Sequence, residues 1–161
     1  PTGRLPLTWP KHASSHIPYF RKHTEDIHTD FSLNAFNPQF NFGDGLSYCQ
    51  ASIDSITIDK SSYLIDDTIE LTVSVSNKND CDATEVIQVY ISDLVASITP
   101  SVERLRHYKK INIGPNETLD FAMRIPLKDL GFIGIDNSYV IESGRFKIRV
   151  NTSSKTFDLI K

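Results

Sequence analysis

From Ala51 onward apolar and polar side chains alternate with period two. The clearest run is Thr68 to Asn77, where Ile69, Leu71, Val73 and Val75 interleave with Glu70, Thr72, Ser74 and Ser76. Successive residues of a strand face opposite sides, so this run has one buried and one wet face. Asn77-Lys78-Asn79-Asp80 is a turn cluster, after which Glu85 to Ser92 places Ile87, Val89 and Ile91 on one face. Further strands are predicted over Ile53 to Asp59, Leu105 to Ile113, Thr118 to Leu127, Ser138 to Glu142, Arg145 to Asn151 and Thr156 to Ile160. Gly114-Pro115-Asn116 and Ser143-Gly144 punctuate them.

About seven short strands over roughly 110 residues, with turn signals about every 8 to 12 residues and no helical period, predict an all-β fold. The expected form is a two-sheet β-sandwich of immunoglobulin or fibronectin type III-like architecture. Val73, Val75, Ile87, Val89, Phe121, Met123, Phe146 and Ile148 should make its inter-sheet core, with Thr72 on the opposite, wet face. The longest gap, Asp93 to Val102, reads as a surface connection.

Residues 1 to 48 follow no such pattern. They hold five of the eight prolines and four of the five histidines and sustain neither period, so they cannot build a core alone. The chain therefore divides into an irregular N-terminal arm, residues 1–48, and a sandwich domain, residues 49–161. Within the arm, Leu5, Leu7 and Trp9 alternate between Pro6 and Pro10, as one short strand belonging to a neighbouring body would. Phe40 and Phe42, two apart and adjoining the first strand, should pack on the sandwich. Arg21 to Thr29 has room for a turn or two of helix.

Composition narrows the partners. At 161 residues, 39% hydrophobic and 23% charged, the chain is long enough for one good core and short for two. A net charge of -3 gives no broad basic field for nucleic acid or an anionic membrane, and no apolar run approaches the roughly 18 residues of a membrane span. A neutral or small partner fits better. The start, Pro1-Thr2-Gly3-Arg4, has neither initiator Met nor signal character and reads as a piece of something longer or a processed product. Cys49 and Cys81 are too few for a disulfide scaffold. A strand beginning after Cys49 and an antiparallel partner ending before Cys81 would put both thiols at one end of the sheet, where a disulfide is geometrically open, although two free thiols are the commoner arrangement.

Candidate chemistry is sparse. A retaining glycosidase needs two carboxyl groups about 5 to 5.5 Å apart, and no such pair is legible. Asp44, between Gly43 and Gly45, is the one acid in a setting that lets backbone approach a ligand closely, yet capping of its own turn is the simpler reading. His12, His16, His23 and His28, with Glu25, Asp26 and Asp30 nearby, have donors for zinc but no element to converge them, so no metal and no cofactor is expected. Trp9, Tyr19, Phe20, Phe31, Phe36, Phe40 and Phe42 could stack on sugar rings. Packing of the arm against the sandwich or a neighbouring domain explains them more simply. Asn116-Glu117-Thr118 and Asn151-Thr152-Ser153 match the N-glycosylation acceptor pattern, which matters only on a eukaryotic secretory route.

Four blocks carry a family resemblance. Pro1-Thr2-Gly3-Arg4-Leu5-Pro6-Leu7-Thr8-Trp9-Pro10 resembles the Pro-Ser-Gly-Lys-Leu-Pro-Ile-Thr-Phe-Pro stretch that closes the α/β sandwich domain of glycoside hydrolase family 3 enzymes. Phe40-Asn41-Phe42-Gly43-Asp44-Gly45-Leu46-Ser47-Tyr48 is similar to the family's Phe-Pro-Phe-Gly-Tyr-Gly-Leu-Ser-Tyr junction with its C-terminal fibronectin type III-like domain. Glu85 to Asp93 followed by Val95-Ala96-Ser97 resembles Glu-Val-Val-Gln-Leu-Tyr-Val-x-Asp-Pro-Val-Ala-Ser, and Gly114 to Thr118 resembles Ala-Pro-Gly-Glu-Thr. Asn41, Asp44 and Leu94 depart from the pattern. These departures weaken the transfer of junction contacts to sugar.

The resemblance implies β-glucosidase, β-xylosidase or exo-glucanase activity for an assembled enzyme, in a secreted or periplasmic setting in preference to a cytoplasmic one. It places the family's aspartate nucleophile and acid/base carboxylate upstream of the first block, so neither has a counterpart here. For this portion it implies a non-catalytic scaffold whose partners are the catalytic domains and, through them, a β-linked glucoside or oligosaccharide. Leu5, Leu7, Trp9 and Tyr48 would be domain-interface residues, and Phe40, Phe42 and Asp44 would rim the substrate entrance. The alternative is a free-standing carbohydrate-binding or adhesion module of fibronectin type, for which an apolar Leu5 to Trp9 strand without a sheet of its own has no use.

Overall fold

The computed structural model describes residues 2–15, 17–19, 21–22 and 37–160. Ten strands follow one another: β1 (Ser52–Ile58), β2 (Ser62–Leu64), β3 (Thr68–Ser76), β4 (Ala83–Asp93), β5 (Arg104–Ile113), β6 (Thr118–Pro126), β7 (Phe132–Ile133), β8 (Tyr139–Val140), β9 (Gly144–Val150) and β10 (Ser153–Ile160). A three-stranded sheet β1-β3-β6 faces a five-stranded sheet β2-β10-β9-β4-β5, and β7 and β8 form a small separate hairpin. This is the all-β sandwich that the alternating pattern predicts.

Strands β3, β4, β6 and β9 arise where period-two alternation is sustained. On β3 the odd residues Ile69, Leu71, Val73 and Val75 are fully buried, while Glu70 and Thr72 lie in water. β6 pairs antiparallel with β3 in a continuous register that sets Phe121 opposite Val73 and Met123 opposite Leu71. From the other sheet Ile87, Val89, Ile91, Phe146, Ile148 and Phe157 close the core. Phe146 stacks on Phe157 at 5.5 Å between centroids, and Tyr63 meets Phe157 edge-on at 5.6 Å.

One expected core residue differs. Phe121 is only half-buried, because β6 is an edge strand of its sheet, and Lys109 of β5 covers the ring at 4.6 Å from its centroid. Three elements are absent from the sequence expectation: β2, which pairs parallel with β10; the 3₁₀ turn Leu127–Leu130; and β7. Each is four residues or shorter, too brief to establish a period.

The turn after β3 is held from inside. Buried Asn77 directs its Nδ2 to the carbonyl oxygens of Cys81, Ile113 and Gly114, at 2.8, 3.3 and 2.9 Å. Cys81 in turn forms a disulfide with Cys49, across a Cα–Cα distance of 6.3 Å, so the first residue after the arm is fastened to the β3–β4 turn.

The arm is paired within this chain. Trp9 and Phe40 form an antiparallel bridge, the Leu5 amide donates to the Asp44 carbonyl, and the Gly43 amide donates back to Leu5. The expectation that Leu5 to Trp9 finds its sheet only in a neighbouring body is therefore corrected: residues 39–44 supply the partner strand. Pro6 and Pro10 offer no N–H to the opposite edge of this ribbon and blunt it. A second bridge joins Lys22 to Ser101, which ties the Asp93 to Val102 connection to the arm. The helical turn considered over Arg21 to Thr29 falls largely outside the described residues.

A candidate functional site between the arm and β4

β9 pairs with β4 only over Val89–Asp93, so the first half of β4 has no strand on that side among the described residues. The arm comes to rest there and encloses a cleft of about 860 Å³. Its floor is β4 and its outer wall is the ribbon of residues 4–9 and 40–46.

Two glycines set the distance of approach. Gly43 has φ 86°, open to glycine at no steric cost, and a Cβ there would collide with the Tyr90 hydroxyl. Gly45 lies against the Gly3 carbonyl just as closely. Phe42 sits edge-on to Tyr19 at 5.6 Å and to Tyr90 at 6.3 Å. A bulge in β4 between Val89 and Tyr90 accompanies a run, Val89 to Ser92, in which every residue is buried. Both faces of β4 are covered at that point, the inner by the core and the outer in part by the arm.

Four of the five charged residues that line the cleft are matched in pairs, and the fifth is Asp44. Arg4 Nη2 lies 2.5 Å from Glu85 Oε2 while its Nη1 donates to the Gly45 carbonyl at 3.0 Å, and the Glu85 side chain is only 5% exposed. Arg149 grips both carboxylate oxygens of Glu103, at 2.5 and 2.8 Å, and its guanidinium lies 4.5 Å from the Tyr90 ring centroid. Burial pushes the Tyr90 phenol up to about 12, with Arg149 opposing and Glu103 reinforcing the shift. Glu85 Oε1 remains buried with no hydrogen-bond partner.

The residues singled out from sequence divide between the two sides of this arrangement. Asp44 is exposed; its Oδ2 accepts from the Asn41 amide at 2.7 Å and its own amide donates to the Asn41 carbonyl, so it closes the turn it sits in. Phe42 packs inward as expected, but Phe40 does not rest on the sandwich. It stands 50% exposed at the cleft rim beside Trp9 at 54%. Leu5 is half-buried, Leu7 is exposed, and Tyr48 is 92% exposed and clear of the cleft. Asn116 and Asn151 occupy exposed turns at φ 55° and 52°, and Asn151 borders the cleft. Of the histidine and acid set only His12 is described, and it is exposed; His16, His23, Glu25, Asp26, His28 and Asp30 lie outside the described residues, as do Phe20, Phe31 and Phe36.

Arg4, Glu85, Gln88, Tyr90, Glu103 and Arg149 were not legible as a cluster. Glu85 carried a signal nonetheless: it falls in phase with Ile87, Val89 and Ile91, and a carboxylate on an apolar face needs a partner.

The profile of the fibronectin type III-like domain matches residues 85–154. Among curated proteins, a lysosomal β-glucosidase of Dictyostelium discoideum is 32% identical over 93% of this chain and 19% of its own length. A putative β-xylosidase of Formosa agariphila is 30% identical over 96% and 20%. Among solved structures, a β-glucosidase of Erythrobacter marinus superposes with a TM-score of 0.85 at 25% identity, covering 99% of this chain and 22% of that one. The Listeria innocua β-glucosidase, with a TM-score of 0.80 at 22% identity, shares the fold. The chain thus spans about a fifth of the length of the curated relatives it matches. Residues 85–154 belong to the fibronectin type III-like domain family, and the chain as a whole corresponds to the C-terminal portion of glycoside hydrolase family 3 enzymes.

Proposed function

We propose that the chain serves as the non-catalytic C-terminal scaffold of a β-glycosidase that releases sugars from β-glucosides or related β-glycosides. The observation that carries this reading is coverage: nearly the whole chain aligns with a fifth of each β-glucosidase or β-xylosidase. The cleft's chemistry agrees. Glu85 and Glu103 are held by Arg4 and Arg149, and Asp44 accepts from the Asn41 amide in its own turn, so each of the three carboxylates already has a structural partner. Exposed Leu7 and Tyr48 offer apolar surface that a catalytic body would cover, and Phe40, Phe42 and Asp44 stand where they could rim its entrance.

Complementation tests it. The chain alone should not turn over aryl β-glucosides or β-xylosides, and should co-purify with a separately produced catalytic portion and raise that portion's activity or thermal stability. Turnover by the chain alone that disappears in Asp44→Asn, or no association with the catalytic portion, overturns the scaffold reading.

A further inference from the structure

We propose that the cleft between the arm and β4 is itself a binding site for a neutral oligosaccharide. This goes beyond the scaffold role and requires no catalytic body. Three features of the cleft converge on that ligand class.

The cations of the cleft are already spent. With Arg4 on Glu85 and Arg149 on both oxygens of Glu103, an anionic ligand would have to displace an existing carboxylate, and Asp44, the remaining charge of the lining, repels it as well, so a neutral ligand enters without breaking an ion pair. Hydrogen-bonding capacity remains. The carboxamides of Asn41 and Asn151 make no hydrogen bond to any described residue, and Gln88 uses only its oxygen, on the Tyr90 hydroxyl. A purely apolar ligand would leave these groups unsatisfied, at a cost that hydroxyl groups avoid by both donating and accepting.

The rim supplies the other half of sugar recognition. Trp9 and Phe40, paired across the ribbon, hold two large rings half in water at the cleft mouth. The C–H face of a pyranose covers an aromatic face, and its equatorial hydroxyls then reach sideways to polar neighbours. A volume of about 860 Å³ lies within the range of small-ligand sites and accommodates more than one ring. Trp9 and Phe40 would stack the sugar, while Gln88, Asn41 and Asn151 would read its hydroxyls.

Trp9 is the only tryptophan, so its emission reports occupancy directly. The folded chain is titrated with cellotetraose, xylotetraose and tetragalacturonate. A saturable change with a neutral tetrasaccharide, weakened at least tenfold in Gln88→Ala and in Asn151→Ala but not in Thr72→Ala, is the expected result. Asn151 is exposed and Gln88 half-buried at the cleft floor, and circular dichroism verifies that their variants remain folded. No saturable change with either neutral sugar overturns the proposal, as do unchanged affinities in both variants, or tetragalacturonate binding as tightly as the neutral probes. Complementation can fail while this titration succeeds, and the reverse, so the two readings are separable.

Discussion

Arg4 and Glu85, 81 residues apart, are joined by a hydrogen-bonded ion pair of 2.5 Å that closes the arm onto the sandwich. The pair is asymmetric in exposure, with Arg4 at 22% and Glu85 at 5%, so the arginine reaches in to a carboxylate that cannot be left alone. Removing the cation strands a buried anion.

Arg4→Ala should therefore destabilise the chain by roughly 3 kcal/mol, whereas Arg4→Ala combined with Glu85→Gln should recover part of that loss. Denaturant melts measure both. The amides of Leu5 and Trp9, which donate to Asp44 and Phe40, should exchange faster in the single variant. If exchange there is unchanged, the ion pair does not seat the arm.

Gly43 makes a second, independent demand. Its φ of 86° and its contact with Tyr90 both oppose a side chain. Gly43→Ala should cost more than about 1 kcal/mol, and it should disturb Phe42 and Tyr90 while leaving the inter-sheet core intact. Near-ultraviolet circular dichroism separates the two. Full retention of the aromatic signal would mean that the arm does not press on Tyr90.

Burial ranks the aromatic residues of the core. Phe146 and Phe157 are fully enclosed, so Phe146→Ala should lose about 3 to 5 kcal/mol. Phe121, half-covered on an edge strand, should lose about 1 to 2 kcal/mol less, and Thr72→Ala on the wet face no more than about 0.5 kcal/mol. Equal losses at Phe121 and Phe146 would contradict the edge position of β6.

How far the sequence carried depended on length and locality. β3, β4 and β9 were legible because seven or more residues of alternation fix a face, and the disulfide was legible as a geometric opening once two strand ends were placed together. The arm was legible only as apolar and proline-rich. Which of its residues meet β4 depends on pairing between residues 5–9 and 39–44, a long-range register that composition does not encode. For the same reason Phe40 and Phe42 were assigned alike, although one faces the cleft mouth and the other wedges between Tyr19 and Tyr90. Glu85 shows what periodicity can still yield, since its phase alone marks it as a buried charge in need of a cation.

The two buried tyrosines give the fold a defined alkaline limit. Burial, then donation of its hydroxyl to Asp59 at 2.8 Å, raises Tyr63 from 10 to about 12, and burial likewise raises Tyr90 to about 12. In the native state both phenols thus keep their protons over a range in which the unfolded chain releases them. The unfolded state binds fewer protons between pH 10 and 12, so stability must fall as pH rises through that window and be fully present below it. Thermal melts from pH 9 to 12 should show this decline. Tyr90→Phe should make it shallower, because one of the two linked protons is gone, while ultraviolet titration of the folded chain should find two phenols that ionise only near pH 12. A melting temperature independent of pH across that interval, or all phenols ionising together before unfolding, would show that Tyr63 and Tyr90 are not held protonated by the fold.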